Sequence, residues 1–259
     1  MNSGFLFGIN WIVISVVFFA LMLVAADLGF RLGRKSETRA SDKTKSQISA
    51  VEDAILGILA LLLGFTMFAA VSRFDARKQL VLDEANAIGT SLLRTKLLPA
   101  PDGPEIASLL HQYIDVRVQY GTSGNDLARL DGLRLQTVRL QNEFWSRSVA
   151  YGQKNPDPVR IGLLLQSLNQ VIDLESARKV AFENPVPESV IYVNCIVALL
   201  AIMLVGYTFG LHGCRQIFST ILLTLAITLV LGLIIDLDRP RSGLIRVSQQ
   251  PMIDLQQGP

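Results

Sequence analysis

The sequence contains few of the residues on which metal sites and disulfide frameworks depend. Among its 259 residues are only two cysteines and two histidines, and their spacing fits no metal-ligand motif, so we predict neither a metal site nor a disulfide framework. Charged residues make up 18% of the chain and the formal net charge is +2, which provides no basic face for nucleic acid. No nucleophile motif or phosphate-binding loop is present. We therefore expect the chain not to be an enzyme and to need no cofactor.

Long apolar stretches are abundant instead. Four stretches contain no charged residue, namely residues 5–26, 54–71, 190–211 and 217–235. About 20 apolar helical residues cross the hydrocarbon core of a bilayer, and only a helix satisfies the backbone of a single span there. We therefore predict an all-α membrane protein with four transmembrane helices. The first stretch lacks a basic segment before it and is longer than the apolar region of a typical signal peptide, which favours a retained anchor.

The polar block between the second and third stretches is predicted to be a helical extramembrane domain. The second helix continues beyond the membrane, since an apolar stripe at three- and four-residue spacing runs on through Val81, Ala85 and Ile88. Three further stripes are typical of packed helices, at Ile106, Leu109, Tyr113, Val116 and Tyr120; at Leu130, Leu133, Thr137, Leu140 and Phe144; and at Ile161, Leu165, Leu168 and Ile172.

These patterns divide the chain into four segments. Residues 1–73 carry the first two membrane helices and a basic loop at 27–50, and residues 74–187 form the helical domain. Residues 188–236 carry the last two membrane helices and residues 237–259 form a tail. Within the first segment, Ser49 and Glu52 have the spacing of a capping box and predict a helix start.

Small residues mark one face of two membrane helices. Ala60 and Gly64 have the spacing that lets membrane helices approach closely. The fourth helix carries a small and weakly polar face that consists of Thr220, Thr224, Thr228 and Gly232. Such faces pack against other helices, or they line a hydrated pathway, and the sequence alone leaves both interpretations open.

Charged residues cluster where two of the membrane helices end. Arg73, Arg77 and Glu84 lie on one side of the second helix. They either bind anions at the mouth of a pore, or extend to lipid headgroups and pair with the acidic residues near Asp236. Asp236 and Asp238, with Arg239, follow the fourth helix, and we expect them to anchor it at the membrane edge because charges cost far less there than at the bilayer centre.

The segment Leu63-Gly-Phe-Thr-Met-Phe-Ala-Ala-Val-Ser-Arg73-Phe-Asp-Ala-Arg77-Lys78 resembles the bestrophin signature. The chain as a whole is similar to the bacterial bestrophin-like family, in that segment, in Glu84-Ala-Asn-Ala-Ile-Gly89-Thr and in Asp236-Leu-Asp-Arg-Pro240-Arg-Ser-Gly243. The resemblance implies a homo-oligomer, pentameric as in bestrophins, that passes small anions. It places the narrow pore neck at Gly57, Leu61 and Phe65, although a bulky residue is expected where Gly57 stands.

Two functions therefore stay open. One is a bestrophin-like anion channel in the bilayer of a bacterial inner membrane, and the other is a non-conducting scaffold or sensor whose helical domain binds a partner protein. The orientation is also open. The charge bias places residues 27–50 in the cytoplasm, whereas the resemblance to bestrophins places the polar block there.

Overall fold

The structure, a computed structural model, describes residues 10–124, 126–155, 157–239 and 243–258. Over these residues it contains no strand and eight α-helices: α1 (Trp11–Ser36), α2 (Asp42–Thr95), α3 (Asp102–Thr122), α4 (Leu127–Lys154), α5 (Pro158–Glu183), α6 (Glu188–Leu211), α7 (Ile217–Leu237) and α8 (Gln250–Gln257). Residues 5–9 of the first predicted span and residues 240–242 of the predicted tail lie outside the described part.

Four helical segments are long and apolar enough to cross a membrane. They correspond to α1, α2, α6 and α7, because the apolar part of the third candidate segment is α6. The predicted fold class is confirmed: the protein is an all-α membrane protein with four transmembrane helices, and a helical domain lies between the second and third of them.

The chain divides into two compact units, each built from two separate parts of the sequence. The membrane unit comprises Met1–Ser72 and Pro185–Arg239, and the helical unit comprises Arg73–Asn184 and Pro240–Pro259. The helix α2 contributes to both, since its residues up to Ser72 belong to the membrane unit and those from Arg73 to the helical unit.

In the membrane unit, α1 packs against α6 and α7. Glycines bring α1 and α6 into backbone contact: a Cβ added at Gly206 would lie 2.1 Å from the carbonyl oxygen of Ala26, and one added at Gly33 would lie 2.1 Å from that of Tyr207. Gly29 and Gly210 are equally close to the opposite helix. Because any side chain at these positions would collide with main-chain atoms, small residues define this helix pair.

The helical unit has a continuous apolar core built mainly from α2, α3, α4 and α5. The stripes predicted for α3 and α4 are confirmed as core contacts, since all ten of their residues are buried. Tyr113 and Phe144 meet edge to face with ring centroids 5.9 Å apart, a favourable aromatic geometry.

The stripe predicted for α5 is displaced. The buried face of α5 consists of Leu164, Ser167, Leu168, Val171 and Arg178. Only Leu168 of the four predicted residues belongs to it, and the other three are partly exposed. The displacement arises because a serine and an arginine belong to the buried face, and apolar periodicity cannot include them.

The basic loop predicted at residues 27–50 is mostly helical. The helix α1 continues to Ser36, a single 3-10 turn covers Glu37–Arg39, and α2 begins at Asp42. The predicted capping box is wrong, since Ser49 and Glu52 lie inside α2. Ser41 provides the capping contact instead, because its hydroxyl accepts a hydrogen bond from the Thr44 amide at 3.2 Å.

Candidate functional site

A buried carboxylate, that of Glu84, occupies the centre of the helical unit. Its residue lies on the buried stripe of α2 and is 0% exposed. Arg117 of α3 approaches both carboxylate oxygens, with Nε 2.7 Å from Oε1 and Nη2 3.1 Å from Oε2. Arg178 of α5 donates from Nη1 to Oε2 at 2.7 Å. Glu84 therefore joins three helices through charge-assisted hydrogen bonds.

Neutral groups complete the surroundings of this carboxylate. The Tyr113 hydroxyl donates to Oε1 of Glu84 at 3.1 Å and lies 3.5 Å from the amide nitrogen of Gln141.

A second acidic residue, Glu175, accepts from Nη1 of Arg117 at 3.4 Å. We call Glu84, Glu175, Arg117 and Arg178 the charge cluster. Its two acids balance its two arginines, which is the condition for burying charges at acceptable cost.

Protonation follows from these contacts. Burial alone would raise the pKa of Glu84, but the guanidinium groups of Arg117 and Arg178 outweigh burial and hold that pKa below its usual range. Burial and the adjacent Glu84 charge raise the pKa of Tyr113 well above that of a free tyrosine. Glu84 is thus ionised and Tyr113 neutral at physiological pH. Since every oxygen of Glu84 accepts from a neighbour, the carboxylate holds helices together and is not available as a base.

The chain segment after α7 also joins the charge cluster. Oε1 of Gln249 accepts from Nη2 of Arg178, and the Gln249 amide nitrogen donates to the carbonyl of Val247 at 3.0 Å. A Cβ added at Gly121 would lie 2.2 Å from that same Oε1. A bare glycine on α3 therefore provides the space in which Gln249 reaches the cluster.

The structure separates the predicted group of Arg73, Arg77 and Glu84. Arg77 is 1% exposed and donates from Nε to the carbonyl of Ala181 at 2.9 Å and from Nη2 to that of Asn184 at 3.4 Å. These carbonyls lie at the C-terminal end of α5, where a cation is favoured. Arg73 is partly exposed. Within this group, Arg73 is thus the side chain that solvent reaches.

The charged residues at the C-terminal end of α7 are buried. Asp236, Asp238 and Arg239 are 2%, 2% and 5% exposed. The amide of Val186, just before α6, donates to Oδ2 of Asp238 at 2.8 Å. This bond ties the end of α7 to the start of α6 within the membrane unit.

The predicted neck residues lie on a face of α2 that the chain itself leaves uncovered. Leu61 is 58% exposed and Phe65 is 66% exposed, and a Cβ at Gly57 would meet no atom within 4 Å. On the opposite side of α2, the Thr66 hydroxyl accepts from the amide nitrogen of Asn194 on α6 at 3.0 Å.

The predicted small-residue faces have different surroundings. Ala60 and Gly64 are exposed, and a Cβ at Gly64 would touch nothing within 4 Å. On α7, Thr224 and Thr228 are buried, but their hydroxyls donate to carbonyls of their own helix. Thr220 is partly exposed. Gly232 lies against α1, since its Cβ would be 2.9 Å from Oγ of Ser15.

Sequence reasoning missed several residues that hold helices together. The i, i+4 glycine pairs of α1 and α6 are visible in the sequence at Gly29/Gly33 and Gly206/Gly210, with the spacing that identified Ala60 and Gly64. The partners of Glu84 have no such local signal. Among the described residues, no group of His, Cys, Asp or Glu is arranged to hold a metal ion.

The sequence matches a known protein family, and the fold is similar to that of solved structures. A sequence model described as the bestrophin-like domain matches residues 16–252. Two crystal structures of a bacterial bestrophin homologue from Klebsiella pneumoniae superpose with a TM-score of 0.66 at 16% and 18% identity. They cover 93% of this chain and 98% and 95% of theirs. A crystal structure described only as a membrane protein gives a TM-score of 0.67 at 17% identity, over 94% of this chain and 96% of its own. Among the curated proteins, none matches this sequence.

Proposed function

This chain belongs to the bestrophin-like family, and we propose that several copies of it assemble around a pore that passes small anions. Bestrophins are anion channels, and the fold similarity extends over nearly the whole chain. A single helix per subunit cannot enclose a pore, so the proposal requires a homo-oligomer, pentameric by analogy with bestrophins. The membrane in question would be the bacterial inner membrane.

The uncovered face of α2 is the observation that carries this proposal. Leu61 and Phe65 project from that face, one turn apart. The other side of the same span is covered by the chain itself, as the burial of Leu59 and Leu63 shows. A helix that is covered on one side and apolar on the other is suited to face either lipid or the axis of an assembly, and the family resemblance favours the axis.

The chemistry of this face suits anions. A ring of apolar side chains can control conduction by excluding water. The edge of a phenylalanine ring carries partial positive charge, which favours an anion that passes it. Arg73 lies eight residues beyond Phe65 in the sequence and is partly exposed, so it would attract anions toward the pore.

Anion flux from liposomes tests the proposal. Leu61→Ala combined with Phe65→Ala removes the constriction, and we expect a higher flux because a wider and less apolar ring no longer excludes water. The matched control is Leu229→Ala with Phe218→Ala on α7, where the two side chains are 63% and 79% exposed. The control should leave flux unchanged. Equal flux from both double variants and the original protein would contradict the pore assignment.

A scaffold or sensor is the second candidate, and an exposed apolar patch of the helical unit favours it. Leu135 is 74% exposed and Val138 is 51% exposed, and they lie almost one turn apart on α4. Such a pair fits the contact of a partner protein better than contact with water. A monomer or dimer by mass in detergent, together with silent liposomes, would support this function over the channel.

Orientation can be decided with a native thiol. Cys214 is exposed in the short connection between α6 and α7, on the same side of the membrane as the connection between α1 and α2. From the charge bias, we propose that both connections are cytoplasmic. A membrane-impermeant maleimide should then label Cys214 only after spheroplasts are broken, whereas Ser123→Cys in a Cys214→Ser background should label in intact spheroplasts. The reversed pattern would place the helical domain inside the cell.

A further inference from the structure

An apolar pocket of the membrane unit has a charged rim. The pocket has a volume of about 200 Å³ and lies between α1, α6 and α7. Its walls include Leu23, Phe209 and Ile221, and Asp27 and Arg215 line it as well. We call it the rim pocket. Gly206 forms part of its wall.

The position of the rim pocket matches the level of lipid headgroups. Asp27 is the first charged residue after the apolar stretch of α1, and Arg215 comes two residues before the start of α7. Two transmembrane helices therefore pass from apolar to charged sequence at this pocket. At this level the phosphates of phospholipids lie beside the protein while their acyl chains continue along the apolar walls.

The charge at the rim is not balanced. Asp27 is paired with two arginines, since Nε of Arg31 lies 2.7 Å from its carboxylate and Arg215 contacts the other oxygen. One carboxylate between two guanidinium groups leaves one positive charge in excess. Arg34 and Lys35 follow within the next turn of α1, and Glu37 pairs with Arg34 at 3.1 Å.

The guanidinium of Arg215 is positioned by two neighbours and can still bind an anionic oxygen. Its guanidinium carbon lies 5.3 Å from the centre of the Phe30 ring, and its contact with Asp27 fixes one edge. The side chain is nevertheless 56% exposed. An arginine presents several donors in one plane, so the remaining edge can take a phosphate in a paired geometry.

From these observations we infer that the rim pocket binds an anionic phospholipid. The phosphate of this lipid contacts Arg215, and one of its acyl chains lies along the apolar walls of the rim pocket. The acyl chain provides fit and little selectivity, because it leaves an equally apolar bilayer. Selectivity comes from charge: an anionic headgroup compensates the excess positive charge, and a zwitterionic headgroup does not.

Native mass spectrometry of the full chain in detergent tests the inference, with phosphatidylglycerol or phosphatidylcholine of identical acyl chains added. We expect the protein to retain phosphatidylglycerol at lipid concentrations at which it retains no phosphatidylcholine. Arg215→Gln should weaken its retention about tenfold, as expected from losing hydrogen bonds to a charged group. The matched control is Lys35→Gln, which removes one positive charge in the last turn of α1, where the side chain does not line the pocket. This control should retain the lipid.

Two further arms keep the test decisive. Ile221→Trp fills the rim pocket and leaves Arg215 in place, so this variant should lose the lipid. It tests the inference independently if Arg215→Gln fails to fold. Glycerol phosphate, which has the headgroup without chains, should not compete. Equal loss of lipid in the Arg215 and Lys35 variants would overturn the inference in favour of general surface charge. Competition by glycerol phosphate, or no preference for phosphatidylglycerol, would overturn it as well.

Discussion

Glycines hold helices at backbone contact in the membrane unit, whereas a carboxylate and two guanidinium groups lie inside the core of the helical unit. Apolar side chains gain nothing by leaving lipid for one another, so α1 and α6 are joined where their main chains can touch. In water, apolar burial already drives α2 to α5 together. There, the charge cluster adds the requirement that α3 and α5 bring Arg117 and Arg178 to Glu84 of α2.

The comparison teaches that shape carries specificity in one unit and charge pairing carries it in the other. A change that removes charge should therefore damage the helical unit, and a change that adds volume should damage the membrane unit.

Removal of the central charge should have the largest effect. Glu84→Gln preserves the shape of the side chain but removes the carboxylate that pairs with Arg178, and it leaves buried Arg117 with Glu175 as its acidic partner. Breaking a buried pair in this way typically costs about 3–5 kcal/mol of the free energy of unfolding. Thermal unfolding in detergent, followed by circular dichroism, measures the loss. Glu143→Gln, at a surface ion pair on α4, is the control and should change stability little. Equal effects of the two substitutions would show that the cluster contributes no more than a surface pair.

Acid should reproduce that effect gradually. The folded protein holds the pKa of Glu84 below the unfolded value of 4.5. The contribution of Glu84 to stability is therefore fully present above that value and is lost as pH falls through the lower pKa of the folded state. At pH values below 4.5 we expect the melting temperature to decrease, toward the melting temperature of the Glu84→Gln variant. The Glu84→Gln variant itself should show a flatter profile there, and parallel profiles would contradict this assignment.

A larger side chain at the contact between α1 and α6 should have the next largest effect on stability. Gly206→Ala places a Cβ 2.1 Å from the Ala26 carbonyl, so α1 and α6 must separate. Overpacking of this kind costs about 1–3 kcal/mol. Gly64→Ala is the matched control in α2, where no atom lies within 4 Å. Thermal melting in the same detergent compares the two, and a control that is as unstable as Gly206→Ala would disprove the importance of the contact.

Much of the fold could be predicted because it depends on local periodicity. Four apolar stretches and the stripes of α3 and α4 predict the correct helices, since both signals require only residues within a few turns of each other. The extent of α2 is different. Residues 42–50 are mostly polar and resemble a loop, with Ile48 and Ala50 as their two apolar residues. They contain no glycine or proline, however, to interrupt a helix that Ser41 caps.

The charge cluster could not be predicted, because its members are far apart in sequence. Arg117 lies 33 residues from Glu84 and Arg178 lies 94 residues away. A pattern of hydrophobicity assigns all three to the surface. Glu84 nevertheless occupies the stripe between Val81 and Ile88, and an acidic residue on an otherwise apolar face outside the membrane is a signal of a buried partner.

The glycine contact between α1 and α6 also has a mechanical consequence. Main-chain atoms of the two helices interlock near Gly29, Gly33, Gly206 and Gly210, so neither helix can slide or turn against the other without a collision. We therefore expect the two helices to move together. If opening and closing require helix motion within the membrane unit, hinges have to be sought where side chains rather than main chains meet, as at Thr66 and Asn194.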